Sequence, residues 1–160
     1  MKIKKLISIT ENLLPEFSEL KTLNPETWDI SEYLNLKYDI NAAIAFSKFF
    51  FPDFIVKDGC IILGFRYSDE SFKKWYKHYS GNISEIERTC NKYELKDFYN
   101  NNRNSNESLD LYNKKIDELG NVLKKSWEIN CQLLFPEKKI VVDVFDEYDT
   151  TRITLYTISI

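Results

Sequence analysis

The stretch KIVVDVFDEYDTTRITLYTISI, residues 139–160, decides the fold class. Apolar residues recur at every second position on both sides of an acidic centre, which is the period of a half-buried strand. DEYDT (146–150) supplies the turn, so the stretch reads as a β-hairpin. Pairing Phe145 with Arg152 puts Val144 opposite Ile153, Val142 opposite Leu155 and Ile140 opposite Thr157. That register gathers one apolar face, and a slip of one residue scatters it. The other face then carries Val141, Asp143, Phe145, Arg152, Thr154 and Tyr156. It mixes aromatic, aliphatic and paired charge as protein interfaces do. The alternative is that a helix covers it and that Arg152 or Arg66 pairs with Asp143.

Upstream, the period changes to that of helices. Leu109, Tyr112, Ile116, Leu119, Leu123 and Trp127 form the stripe of a long helix over 109–134, closed by Pro136. Gly120 inside it is expected to mark a close helix crossing. The asparagine-rich 100–106 reads as a solvent loop. Asn82, with Glu85 three residues on, opens a shorter helix bearing Ile83, Ile86, Cys90 and Tyr93. Ser68 or Asp69 caps another, with Phe72, Trp75, Tyr76 and Tyr79 inward, Lys73, Lys74, Lys77 and His78 outward, and Gly81 at its end.

Residues 60–65, Cys60 to Phe65, are apolar on both parities after an Asp58-Gly59 turn. They are expected to form a central strand covered on both faces, completing one sheet with the C-terminal hairpin. Before them, Asp39 caps a helix whose stripe is Ala42, Ala43, Phe46, Phe49 and Phe50, stopped by Pro52. Together with Phe51 and Phe54, this phenylalanine-dense run is expected to fill the interior. In 1–38, Ile3, Leu6, Ile7, Leu13, Leu14, Phe17 and Leu20 indicate helix, interrupted at Pro15. NPETW (24–28) follows as a turn that Trp28 and Tyr33 anchor. The expected fold is α+β: a small, mostly antiparallel sheet of about three strands packed by four to five helices, in a single domain over 1–160.

The chain has 160 residues, 43% hydrophobic, 29% charged and 15% aromatic, with a formal net charge of −3. The sign is wrong for a general nucleic-acid binder, whose affinity comes mainly from phosphate neutralisation. The one basic patch, Lys73, Lys74, Lys77, His78 and later Arg88, has its aromatics on the opposite helix side, not interleaved as stacking platforms are. The opening MKIKKLISITENLL starts like an export signal but is broken by Ser8, Thr10, Glu11 and Asn12. A cytoplasmic protein without a membrane partner is expected. Cys60, Cys90 and Cys131 have no zinc spacing and read as reduced, buried thiols.

No catalytic constellation is visible. His78 is the single histidine, and the four glycines, in the settings DGC, LGF, SGN and LGN, form no phosphate-binding loop. Asp143, Asp146, Glu147 and Asp149 could hold Mg²⁺ or Ca²⁺ if several converged. Turn and strand-end solvation explains those of the DEYDT segment equally well. No cofactor is expected.

Residues 42–63, AAIAFSKFFFPDFIVKDGCIIL, resemble a segment of small uncharacterised bacterial immunity-type proteins: an Ala-rich helix, an aromatic run closed by Pro-Asp-Phe, then Asp-Gly-Cys and an apolar strand. The resemblance carries no functional residues. It implies a small protein that works by binding another protein, such as a basic toxin domain, and blocking it. On this reading Asp146, Glu147 and Asp149 steer association, and Phe145, Tyr148 and Tyr156 anchor it, with Asp143 and Arg152 in the same surface. The alternatives are a carboxylate- and metal-dependent enzyme, or a nucleic-acid adaptor using the basic helix.

Overall fold

A computed structural model of the chain describes residues 4–9 and 13–158. Ile3, residues 10–12 and residues 159–160, which the patterns above include, lie outside the described residues. The chain divides into two compact units, Met1–Phe49 and Phe50–Ile160.

The first unit is helical. Pro15 does not interrupt a helix but opens one, α1 (Pro15–Leu23), where its fixed φ suits the first turn. Asp29 caps α2 (Ile30–Lys37) by accepting from Ser31 N at 2.8 Å and Glu32 N at 3.2 Å. Asp39 caps α3 (Ile40–Phe50) as expected, accepting from Ala42 N at 2.8 Å. Tyr33 is buried and holds the connection through edge contacts with Phe17 (5.3 Å), Trp28 (6.3 Å) and Tyr38 (6.0 Å). The interior role expected of the phenylalanine run is met only in part. No residue of α3 is buried, and Ala43, Phe46 and Phe51 are exposed, whereas Phe49, Phe50 and Phe54 are half-buried and Phe54 meets Phe135 edge-on at 5.7 Å. Periodicity identifies the apolar side of a helix; it does not supply the surface that covers it.

The second unit is α+β. Its first hairpin pairs β1 (Phe54–Lys57) with β2 (Cys60–Leu63) around Asp58-Gly59. All four residues of β2 are buried, so both faces are covered as expected, but the strand ends at Leu63: Gly64 and Phe65, expected within it, enter a 3-10 turn and Phe65 is exposed. The position of β2 corrects the sequence reading: it pairs with β1 alone. The three-stranded sheet runs β3-β5-β4, and its third strand is the two-residue β3 (Tyr93–Glu94). β4 (Ile140–Glu147) and β5 (Thr150–Thr157) have the expected register, Phe145 opposite Arg152. Val142, Ile153 and Leu155 are fully buried on the face that meets the long helix.

Three capped helices complete the unit: α4 (Asp69–His78) with Ser68, α5 (Ile83–Cys90) with Asn82, and α6 (Leu109–Leu134) with Ser108. Gly120 of α6 marks a close approach, to a strand and a 3-10 turn rather than to another α-helix. A Cβ there would lie 3.0 Å from both Leu95 Cδ1 and Val144 Cγ1, so the missing side chain lets α6 settle on β4 and the turn at Leu95.

What keeps β2 out of the main sheet is a pair of polar side chains. Glu87 of α5 accepts from Ile61 N of β2 at 2.7 Å and from Thr157 N of β5 at 2.5 Å. Asn91, one helical turn on, accepts from Leu63 N at 2.8 Å and donates to Ile61 O at 2.9 Å and Leu155 O at 3.0 Å. Both residues are 0% exposed. They satisfy main-chain groups of both strands, which a buried edge requires.

Candidate functional site

The β4–β5 loop is Tyr148-Asp149, and both residues have positive φ (54° and 58°). Two-residue hairpins need this geometry because it matches strand twist. Neither residue is glycine, so the turn holds two side chains outward on a stiff support. Tyr148 is 86% exposed, the highest value among the exposed large hydrophobic residues. Asp146 and Asp149 beside it are exposed as well.

An open cleft of ≈ 470 Å³ lies under this tip, between the hairpin and α6. The hairpin lines it with Asp146, Glu147, Tyr148, Asp149 and Thr151; Asn113 and Asp117 come from α6, and Lys96 faces them. Asp117 Oδ1 accepts from Thr151 Oγ1 at 2.9 Å, which ties helix to strand across the cleft. Asn113 Oδ1 is buried without a hydrogen-bond partner among the described residues. The cleft is thus lined by four carboxylates against one ammonium. Sequence reading missed Asn113 and Asp117. Asp117 lies on the polar side of the α6 stripe, and only the packing of α6 on the sheet brings it to the hairpin end.

Glu147 is committed within the protein. It accepts from Lys92 Nζ at 3.2 Å and from Arg152 Nη1 at 2.5 Å. Arg152 also lies 3.8 Å from Glu94, and its guanidinium is 5.7 Å from the Tyr148 ring. Thr150 Oγ1 donates to Glu94 Oε1 at 2.7 Å. This network braces the base of the turn, with Asp146, Tyr148 and Asp149 exposed around it.

The eight residues grouped by sequence therefore separate. Asp146, Glu147, Tyr148 and Asp149 meet at the cleft, whereas Asp143, Phe145, Arg152 and Tyr156 lie along the sheet face turned away from α6. Tyr156 sits beneath the Arg88 guanidinium at 3.6 Å, and Thr154 beside it is buried, donating to Arg88 O at 2.8 Å. Neither Arg152 nor Arg66 pairs with Asp143. Arg152 turns to Glu147, and Arg66 lies over the Tyr93 ring at 5.1 Å. The half-buried Asp143 carboxylate has no ion pair or hydrogen bond among the described residues.

Elsewhere, the three cysteines are free and buried. Burial pushes the Cys60 thiol up to about 11 and the Cys131 thiol up to about 12, which suppresses the thiolate that reactivity requires. Among the described residues, no group of three or more His, Cys, Asp or Glu is placed to hold a metal ion. No helix among them is long and apolar enough to cross a membrane. Comparison with protein-family models, with curated proteins and with solved structures gave no match to this chain.

Proposed function

We propose that the protein is a protein-binding module whose C-terminal hairpin docks on a basic surface of its partner, with neutralisation of a toxin by occlusion as the specific form of that role. The observation that carries this reading is Tyr148: an aromatic side chain 86% exposed, fixed by a non-glycine turn and set beside an acidic cleft. Exposed tyrosines with few rotatable bonds anchor interfaces at low entropic cost. Asp117, Asp146 and Asp149 complement a basic partner and raise its association rate.

The test begins with the partner recovered on tagged protein from its native host and then purified. Calorimetry and stopped-flow association follow. Tyr148→Ala is expected to weaken binding at least about tenfold, chiefly through faster dissociation. Asp146→Lys with Asp149→Lys is expected to slow association and remove most of its salt dependence. If both variants bind the purified partner as the parent does, the hairpin is not the docking site.

A further inference from the structure

A second surface lies on α4. Lys73, Lys74, Lys77 and His78 are all exposed, and none of the three lysines has an ion-pair partner among the described residues. The sequence places the aromatic residues of this helix on its opposite side. In the structure two of them, the half-buried Trp75 and Tyr79, nonetheless touch basic side chains at the margin of that face. Trp75 stacks on Tyr79 (5.8 Å, 23°) and meets His78 edge-on at 5.5 Å, while His78 meets Tyr79 at 4.7 Å. Lys74 Nζ lies 5.0 Å from the Trp75 ring centre. Tyr79 is pinned in turn, its hydroxyl accepting from Thr89 Oγ1 at 3.0 Å. Basic and aromatic groups are thus interleaved, which is the arrangement that binds single-stranded nucleic acid by phosphate neutralisation and base stacking.

We infer that this face of α4 binds a single-stranded nucleic acid. A duplex keeps its bases stacked and offers nothing to the rings. An anionic bilayer rewards protruding apolar side chains that can insert, whereas the exposed side chains of this face are Lys73, Lys74, Lys77 and His78. The surface does not involve the hairpin, so it stands or falls independently of the function proposed above.

The probe is a fluorescein-labelled oligouridylate of about a dozen nucleotides, titrated by anisotropy at several salt concentrations. With three lysines on phosphates, log K is expected to fall with log[salt] at a slope of about −2. Lys73→Glu with Lys77→Glu is expected to weaken binding more than about tenfold at low salt and flatten that slope. These side chains are exposed, so circular dichroism should show the fold retained. Trp75→Leu is expected to weaken binding at least about fivefold while leaving the slope unchanged, since stacking releases no counterions. Absence of binding at low salt overturns the inference. So does undiminished binding by the glutamate variant, or capture of phosphatidylserine vesicles in place of the oligonucleotide.

Discussion

The two hairpins of the second unit turn alike and are held differently. Asp58-Gly59 and Tyr148-Asp149 are both two-residue loops, and all four residues have positive φ (50°, 84°, 54° and 58°). β4–β5 belongs to a three-stranded sheet in which β5 pairs along its whole length with β4 and over two residues with β3. β1–β2 is a two-stranded sheet of its own, and its inner edge meets the side chains of Glu87 and Asn91. β4–β5 is therefore built into its sheet by a repeating ladder, whereas β1–β2 is joined to β5 through two particular residues. A ladder spreads its bonds over many positions and tolerates changes of side chain. Two residues concentrate the same task, so a single substitution can undo it.

The largest effect should come from breaking that splice. Asn91→Ala leaves Leu63 N, Ile61 O and Leu155 O buried without partners. With about 1–3 kcal/mol for each such orphan, and some relief from entering water, a loss of at least about 3 kcal/mol is expected in urea denaturation. Thr154→Val in β5 gives up one side-chain bond to Arg88 O and should cost about 1 kcal/mol, since the ladder remains. Equal losses for the two would mean that the hairpins are not held differently.

This contrast also explains what could be read from the sequence. The β4–β5 register was legible because alternation, turn residues and charge placement all agree on one pairing. The helix caps Ser68, Asn82 and Asp39 were legible because capping chemistry is local. The separation of β2 from the main sheet was not. An apolar strand looks the same whether its edge meets a backbone or a carboxylate, and Glu87 and Asn91 look like polar residues of any exposed helix. At the candidate site, Asp146, Tyr148 and Asp149 were legible as an acidic aromatic turn. Asn113 and Asp117 were not, because a distant helix delivers them. The exposure of Ala43, Phe46 and Phe51 was not legible for a related reason: spacing defines an apolar face without saying what covers it.

Next in size is the pH response of the splice. Burial raises the Glu87 carboxyl above its ordinary 4.5, more than its bonds to Thr157 N and Ile61 N lower it. The folded state then holds this proton more tightly than the unfolded state does. Its contribution to stability is fully present below the unfolded value and is lost as pH rises through the folded value. Urea midpoints of the wild type should therefore fall as pH rises above 4.5 through the folded value, and Glu87→Gln should remove that slope. A slope unchanged in the variant would assign the response to another group.

Effects smaller than the loss of Asn91 should appear at the turns, with opposite signs. Gly59 at φ 84° occupies a region that a Cβ resists, and a Cβ there would also approach Ile83 Cδ1 to 3.1 Å. Gly59→Ala should destabilise by about 1–2 kcal/mol. Asp149 at φ 58° already bears that strain. Asp149→Gly relieves it at the expense of added freedom in the unfolded chain, so a net gain of about 0.5 kcal/mol is expected. The same substitution removes a cleft carboxylate and loosens the support of Tyr148, so partner binding should weaken as the fold strengthens. Gain of stability with loss of binding is the pattern of a turn kept strained for contact. If Asp149→Gly instead destabilises, the turn geometry serves the fold alone, and Tyr148 is exposed only because a turn must put some residue outside.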